Sequence, residues 1–198
     1  MEESKKILLA TSNQGKLKEF KKLFNKLDLI CQTDLGIDDA VEDGMTFFEN
    51  ALKKARHGAK ESKLFTVADD SGLVVPGLNF EPGIYSARYA GEEASDLDNR
   101  NKIIAELKKR NLESLPAYYV CVLVGIHSHD DPMPIYSSGQ IHGKVSIKSD
   151  GEGGFGYDKI FYLEDPQTSM ASISPEIKNT ISHRALAARS FLAELEKI

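Results

Sequence analysis

Ile7-Leu8-Leu9-Ala10 is followed at once by Thr11-Ser12-Asn13-Gln14-Gly15-Lys16, and then by Leu17, Phe20, Phe24 and Leu27 at helical spacing. So short an apolar run suits a buried strand and is far too short for a secretory leader or a membrane span. The polar turn ends the strand, and apolar residues recurring at the helical period start a helix. Strand, polar turn and helix together open an α/β arrangement.

Further along, Thr46 with Glu49 three residues on has the capping-box pattern, and Phe48, Ala51, Leu52, Ala55 and Ala59 form one apolar face. This predicts a second helix from Thr46 to about Lys60. Leu64-Phe65-Thr66-Val67-Ala68 reads as a buried strand running into Asp69-Asp70-Ser71-Gly72, which places two acids at its end. Leu73-Val74-Val75 resumes the apolar pattern until Pro76-Gly77 breaks it. Asp96 to Lys109, with Leu97, Ile103, Ile104 and Leu107, predicts a third helix covering the sheet. Tyr118 to His127 and Ile135 to Ile147 are β-rich and joined by the turn-prone His129-Asp130-Asp131-Pro132, the pattern of a long antiparallel hairpin. Lys159 to Leu163 offers one more strand, and Thr180 to the C-terminus reads as helix. The order predicts an α/β protein with a mixed sheet, organised as a single domain over 1–198.

Of the 198 residues, 41% are apolar and 28% charged, which suits an ordinary globular chain with a real core. The net charge of −5 supplies no basic field for long nucleic acid, but a small phosphorylated ligand held by a local cluster of donors remains compatible. Cys31 and Cys121 have neither CxxC spacing nor a histidine at metal-finger spacing, so reduced, buried thiols are expected. No segment suggests a leader or a membrane partner, and the expected compartment is the cytoplasm.

Four groups of residues carry possible chemistry. Thr11 to Lys16 opens a helix, where unpaired N–H groups and the helix dipole attract an anion, Gly15 permits close approach and Lys16 adds a full charge. It is not a Walker A loop, because Ala10 and Leu17 stand where glycine and a hydroxyl residue are needed. Glu42, Asp69 and Asp70 supply the hard oxygens that Mg²⁺ requires, and would repel one another without a cation between them. Gly151 to Gly156 matches the literal GxGxxG pattern in the wrong setting, since a strand follows it where a helix is needed. Gly154-Phe155-Gly156-Tyr157-Asp158 is better read as a loop offering an aromatic face to a base and a carboxylate to a ring N–H. Lys178, Ser182, His183 and Arg184 place donors near the start of the last helix, suited to a carbonyl oxygen or a phosphate.

Taken in order, these segments resemble the inosine/xanthosine triphosphate pyrophosphatase family, which clears non-standard purine nucleotides. The matching pieces are Thr11–Lys16, Glu42-Asp43-Gly44 with Phe48-Glu49-Asn50-Ala51, Ala68-Asp69-Asp70-Ser71-Gly72, and Pro82-Gly83-Ile84-Tyr85-Ser86-Ala87-Arg88-Tyr89. Gly153-Gly154-Phe155-Gly156-Tyr157-Asp158 and Lys178 with Ser182-His183-Arg184 complete the set. The resemblance implies a long mixed sheet flanked by helices, two lobes with a nucleotide cleft between them, and a homodimer. It implies hydrolysis of ITP, dITP and XTP to the monophosphate and pyrophosphate. By the same resemblance Asp70 is the catalytic proton acceptor, and Glu42 and Asp70, with Asp69 as a further donor, hold Mg²⁺. Thr11, Ser12, Asn13, Gln14, Gly15, Lys16, Ser71, Phe155, Gly156, Tyr157, Asp158, Lys178, His183 and Arg184 are then substrate contacts. Val41 stands where some relatives carry another acid. A pyrimidine-nucleotide pyrophosphatase and a nucleotide binder without turnover are the competing readings. The first has a Ser/Arg-rich loop unlike Thr11–Lys16, and the second has little use for a crowded acidic site.

Overall fold

The computed structural model describes residues 6–165 and 167–197. Its elements are β1 (Ile7–Ala10), α1 (Gln14–Leu23), β2 (Leu29–Cys31), α2 (Phe47–Ser62), β3 (Phe65–Val74), α3 (Asp96–Lys109), β4 (Ser114–Ile126), β5 (Ile135–Ser146), β6 (Phe161–Leu163), α4 (Pro175–Ile181) and α5 (His183–Leu195). The strands form one sheet in the order β2-β1-β3-β4-β5-β6. β1 is parallel to β2 and β3, with Leu8 opposite both Ile30 and Thr66, whereas β6 is antiparallel to β5. β4 and β5 are neighbours joined only by residues 127–134, too short a link to return along a strand of that length, so they too run antiparallel. The mixed α/β sheet predicted from the sequence is present.

The chain divides into two compact units. The first comprises the residues through Asp70, Cys121–Gly139 and those from Arg184 onward; the second comprises Ser71–Val120 and Gln140–His183. In the first unit both sheet faces are apolar. Ile7, Leu9, Val67, Cys121 and Leu123 pack with Leu17 and Phe20 of α1 and Ala187, Ala188 and Phe191 of α5. Leu8, Ala10, Ala68, Val124 and Ile126 meet Ala51, Ala55 and Ala59 of α2 instead. The odd and even positions part because successive strand side chains point to opposite faces. The second unit has its own core, in which Leu73, Val75, Tyr119, Val145 and Phe161 pack with Ile103 and Leu107 of α3.

Several local expectations are revised. Asp69 and Asp70 lie in the middle of a ten-residue strand rather than at the end of one, because the apolar residues on both sides of them belong to the same extended segment. β2 was not legible: three residues carry no periodic signal, and its pairing with β1 defines it. Phe48 is exposed and meets Tyr136 edge-on at 5.5 Å, while Asn50 takes a buried place on α2. Leu97 is exposed in the first turn of α3. α2 ends at Ser62, two residues beyond Lys60, where Lys63 turns left-handed at φ 60°. The C-terminal helix is broken at Ser182, whose extended ψ of 158° separates α4 from α5, and Ile198 lies outside the described residues. The strand predicted over Lys159–Leu163 shortens to Phe161–Leu163, because tight turns occupy the residues before it.

The alanine stripe lets α2 lie close to the sheet. A Cβ at Gly58 would stand 2.8 Å from Leu8 Cδ2 and 3.0 Å from Thr66 Cγ2. Gly58→Val is therefore expected to destabilise the fold by about 2 kcal/mol through overpacking, read as a lower urea midpoint with unchanged slope.

Candidate functional site

The first cluster stands where β1 gives way to α1. Asn13 caps the helix, its Oδ1 accepting from Lys16 N at 3.0 Å, and buried Thr11 braces the turn by accepting from Asn13 N at 3.3 Å. Ser12 Oγ donates to Asp39 Oδ2 at 2.7 Å, and the side chain of Gln32 bonds the same carboxylate. Ser12, Asn13 and Gln14 are exposed, while Gly15 and Lys16 are half-buried. The helix start predicted from the sequence is present, with its N-terminus exposed.

Asp69 and Asp70 are neighbours on β3 and therefore face opposite ways. Asp69, fully buried, points to the α1 and α5 face, where Lys16 Nζ lies 2.9 Å from its Oδ2. Burial pushes its carboxyl up, but Lys16, Lys54 and Arg184 outweigh that and hold it below the ordinary carboxylate range. Arg184 is itself buried and paired with Glu19 at 2.9 Å; burial works against its charge, yet Glu19 and Asp69 keep it raised. Asp70 is on the α2 face. Asn50 Nδ2 donates to its Oδ2 at 3.3 Å, and Lys54 Nζ is 3.4 Å from its Oδ1 and 2.7 Å from Glu42 Oε1. Asn50 also accepts from Gly44 N at 2.8 Å, tying the 42–44 segment to the strand.

The carboxyl of Asp70 is raised, chiefly by burial and further by Glu42 and Asp69, with Lys54 and Lys16 opposing. Burial disfavours the Lys54 cation, but Asp70, Asp69 and Glu42 prevail and push it up to about 12. The expectation that Asp69 joins Glu42 and Asp70 as an oxygen donor is thus corrected, since alternation along the strand turns it to the other face. The cation between Glu42 and Asp70 is Lys54, which sequence reading missed. Its signal was present: Asn50 and Lys54 stand four apart beside the alanine stripe of α2. Among the described residues, no three His, Cys, Asp or Glu side chains converge to form a metal cage.

The second unit carries a separate cluster around Asp158. Its Oδ2 accepts from Lys178 Nζ at 2.7 Å and Phe155 N at 3.0 Å, and its Oδ1 from the Tyr119 hydroxyl at 3.2 Å. Phe155 is half-buried with Lys178 Nζ 5.1 Å from its ring centroid. Gly156, at φ +60°, is clamped by α3: its N–H donates to Asp96 at 2.7 Å and its carbonyl accepts from Arg100 at 2.7 Å. Tyr157 is buried, and its hydroxyl donates to Ser86 O at 2.8 Å. The loop therefore presents Phe155 as its accessible aromatic ring and commits that of Tyr157 to the core. The Asp158 carboxylate is occupied by Phe155 N of the loop, Lys178 of α4 and Tyr119 of β4, whereas the sequence alone suggested a carboxylate facing a ring N–H. His183 is buried with its ring stacked on Tyr119 at 4.7 Å, and Ser71 is half-buried on β3. Tyr119, Asp96 and Arg100 were not singled out, because each lies far in sequence from the group it holds.

The fold and these clusters define an α/β protein in which a mixed sheet carries a buried acid–lysine group and a glycine-rich loop wraps a buried carboxylate. The chain belongs to the Ham1 family, whose model matches residues 7–194. It is 48% identical over 191 residues to the dITP/XTP pyrophosphatase of Legionella pneumophila (strain Paris), covering 96% of this chain and 98% of that protein. A dITP/XTP pyrophosphatase of Acinetobacter baumannii (strain ACICU) is 45% identical over 197 residues, covering 96% and 95%. Among solved structures, a HAM1 protein from Coxiella burnetii matches with a TM-score of 0.89 at 38% identity, covering 98% of this chain and 99% of the other. The Staphylococcus aureus Ham1 protein matches at 0.85 and 40%, with the same coverage.

The raised Lys54 value fixes the sign of its contribution to stability. It is fully present below the ordinary lysine value of 10.5 and is lost as pH rises through about 12. Lys54→Met is expected to cost about 3 kcal/mol at neutral pH by leaving two carboxylates without their cation. In urea titrations the gap to the parent should stay level up to pH 10.5 and narrow toward 12.

Proposed function

We propose that this chain is a magnesium-dependent pyrophosphatase that hydrolyses ITP, dITP and XTP to the nucleoside monophosphate and pyrophosphate. The observation that carries this reading is Asp70, a buried carboxyl raised in pKa beside Glu42 and Lys54, in a chain whose relatives bear the name dITP/XTP pyrophosphatase. Proton transfer works best with an acceptor near the working pH, and a raised carboxyl moves toward it. In the proposed reaction water attacks the α-phosphorus, Asp70 takes its proton, the α–β phosphoanhydride bond breaks and pyrophosphate leaves. Lys16 and the exposed first turn of α1 hold phosphate oxygens.

The donor chemistry fits Mg²⁺. Glu42 and Asp70 share one cationic partner, Lys54, and Mg²⁺ is commonly held by one or two carboxylates with the remaining sites left to water and substrate phosphate. When bound, the metal neutralises charge on the leaving pyrophosphate. Asp69 stays a fixed charge that holds Lys16 in place.

Base recognition is assigned to Phe155 as a stacking surface, with Lys178 and His183 as donors suited to a 6-oxo group. Adenine carries a 6-amino group, which would turn a donor toward these donors in place of the 6-oxo acceptor, so it would be rejected. We further propose that the enzyme works in the cytoplasm as a homodimer; among the described residues no helix is long and apolar enough to cross a membrane. Sedimentation of the purified chain as a monomer would remove the dimer from this reading.

The test is pyrophosphate release from ITP, XTP, GTP, ATP and dTTP, each with Mg²⁺ and with EDTA. Release from ITP and XTP that needs Mg²⁺ is expected; release mainly from dTTP, or orthophosphate instead of pyrophosphate, would overturn the assignment. Asp70→Asn is expected to lower kcat by at least about 100-fold. Phe155→Ala should instead raise KM for ITP by roughly 10-fold, the loss of one base-stacking contact.

A further inference from the structure

Asp158 is the hub of the second cluster, yet two of its three donors come from groups that themselves need placing. Phe155 N belongs to the loop being held, and Lys178 lies on the short helix α4. The third donor, Tyr119, differs in kind. It sits on β4 in the middle of the sheet, is 6% exposed, and packs against Phe161 at 4.7 Å within the core of its unit. Its ring is therefore fixed by the scaffold, and its hydroxyl reaches the carboxylate oxygen Oδ1 that the loop and Lys178 do not use. The face of the same ring stacks on His183 with an interplanar angle of 8°. One rigid side chain thus sets the rotation of the Asp158 carboxylate and the plane of the His183 imidazole.

Resting on the pyrophosphatase reading above, we propose that Tyr119 is a positioning residue for base selection, acting through Asp158 and His183 without touching the nucleotide. A carboxylate held at one oxygen only is free to swing about its Cβ–Cγ bond, whereas donors on both oxygens fix its plane. That plane in turn fixes Phe155 N, hence the stacking ring, and Lys178 Nζ, which lies over the ring. Gly154 belongs to the same arrangement: at φ +73° its backbone passes so close that a Cβ would collide with the Asp158 carboxylate. Only glycine fits where the loop passes the carboxylate.

The decisive variant is Tyr119→Phe, which keeps the ring, its packing and the His183 stack and removes only the hydroxyl. Expected are a rise in KM for ITP of about 10-fold, the usual scale for a hydrogen bond to a charged group, with kcat within about twofold of the parent. The ITP-to-ATP ratio of kcat/KM should fall by a similar factor. Asp158→Asn and the double variant complete a cycle, in which the double variant should be no worse than Asp158→Asn alone, since Tyr119 acts through that carboxylate. Unchanged KM and selectivity in Tyr119→Phe, or additive effects in the cycle, would overturn the role of Tyr119 while leaving the pyrophosphatase assignment standing. A parent protein that releases no pyrophosphate from ITP would overturn both. Should Tyr119→Phe fail to fold, Tyr119 is structural and the proposal falls; circular dichroism and the urea midpoint decide that before any kinetics.

Discussion

Two adjacent carboxylates buried in the middle of a central strand impose the constraint on which the first unit is built. A buried charge is tolerated only when paired, and removing the partner of such a pair typically costs ~3–5 kcal/mol. Because strand neighbours face opposite ways, Asp69 and Asp70 make their direct ion pairs with different lysines. Each sheet face must bring its own lysine: Lys16 from α1 on one side and Lys54 from α2 on the other. The packing of both helices is tied to that requirement. The alanine stripe and Gly58 bring α2 close enough for Lys54 to reach, and the cap on Asn13 starts α1 where Lys16 falls beside the strand.

The same pairing makes two chemically identical residues unequal. Asp69 has Lys16 against it and Arg184 nearby, and its carboxyl is held low, so it remains a permanent charge. Asp70 is raised chiefly by burial, and further by Glu42, with which it shares Lys54, and by Asp69. One strand therefore carries a carboxyl held low and a carboxyl held high at consecutive positions, with the environment alone separating them. Asn50 completes the division by fastening the segment around Gly44 to the Asp70 side only.

The second unit solves a different problem with similar means. A glycine-rich loop has little apolar surface with which to order itself, so it is pinned at defined atoms: Asp96 and Arg100 take the two backbone groups of Gly156, Ser86 takes the Tyr157 hydroxyl, and Asp158 takes Phe155 N. Almost every residue of this short loop is spent on holding it, and Phe155 remains as the aromatic surface. Rigid presentation of one ring suits recognition of a planar ligand, because little conformational entropy is lost on binding.

The sequence by itself determined the elements with strong local signals. The strand–turn–helix at Ile7 to Phe24, the capped start of α2, the helix over Asp96–Lys109 and the long hairpin all follow from periodicity and turn chemistry acting over a few residues. It also marked out runs whose residue types suit chemistry, namely Thr11–Lys16, Glu42 with Asp69-Asp70, and Phe155–Asp158. Only the tertiary structure decided how the groups within each unit face one another. That β3 continues through Asp69 and Asp70, that alternation sends them to different faces, that Lys54 rather than a third acid meets Glu42, and that Tyr119 reaches Asp158 across the core depend on contacts between residues far apart in the chain. Periodicity reports which side of an element is buried; it carries no information about which distant side chain will be waiting there, because that is set by the packing of whole elements.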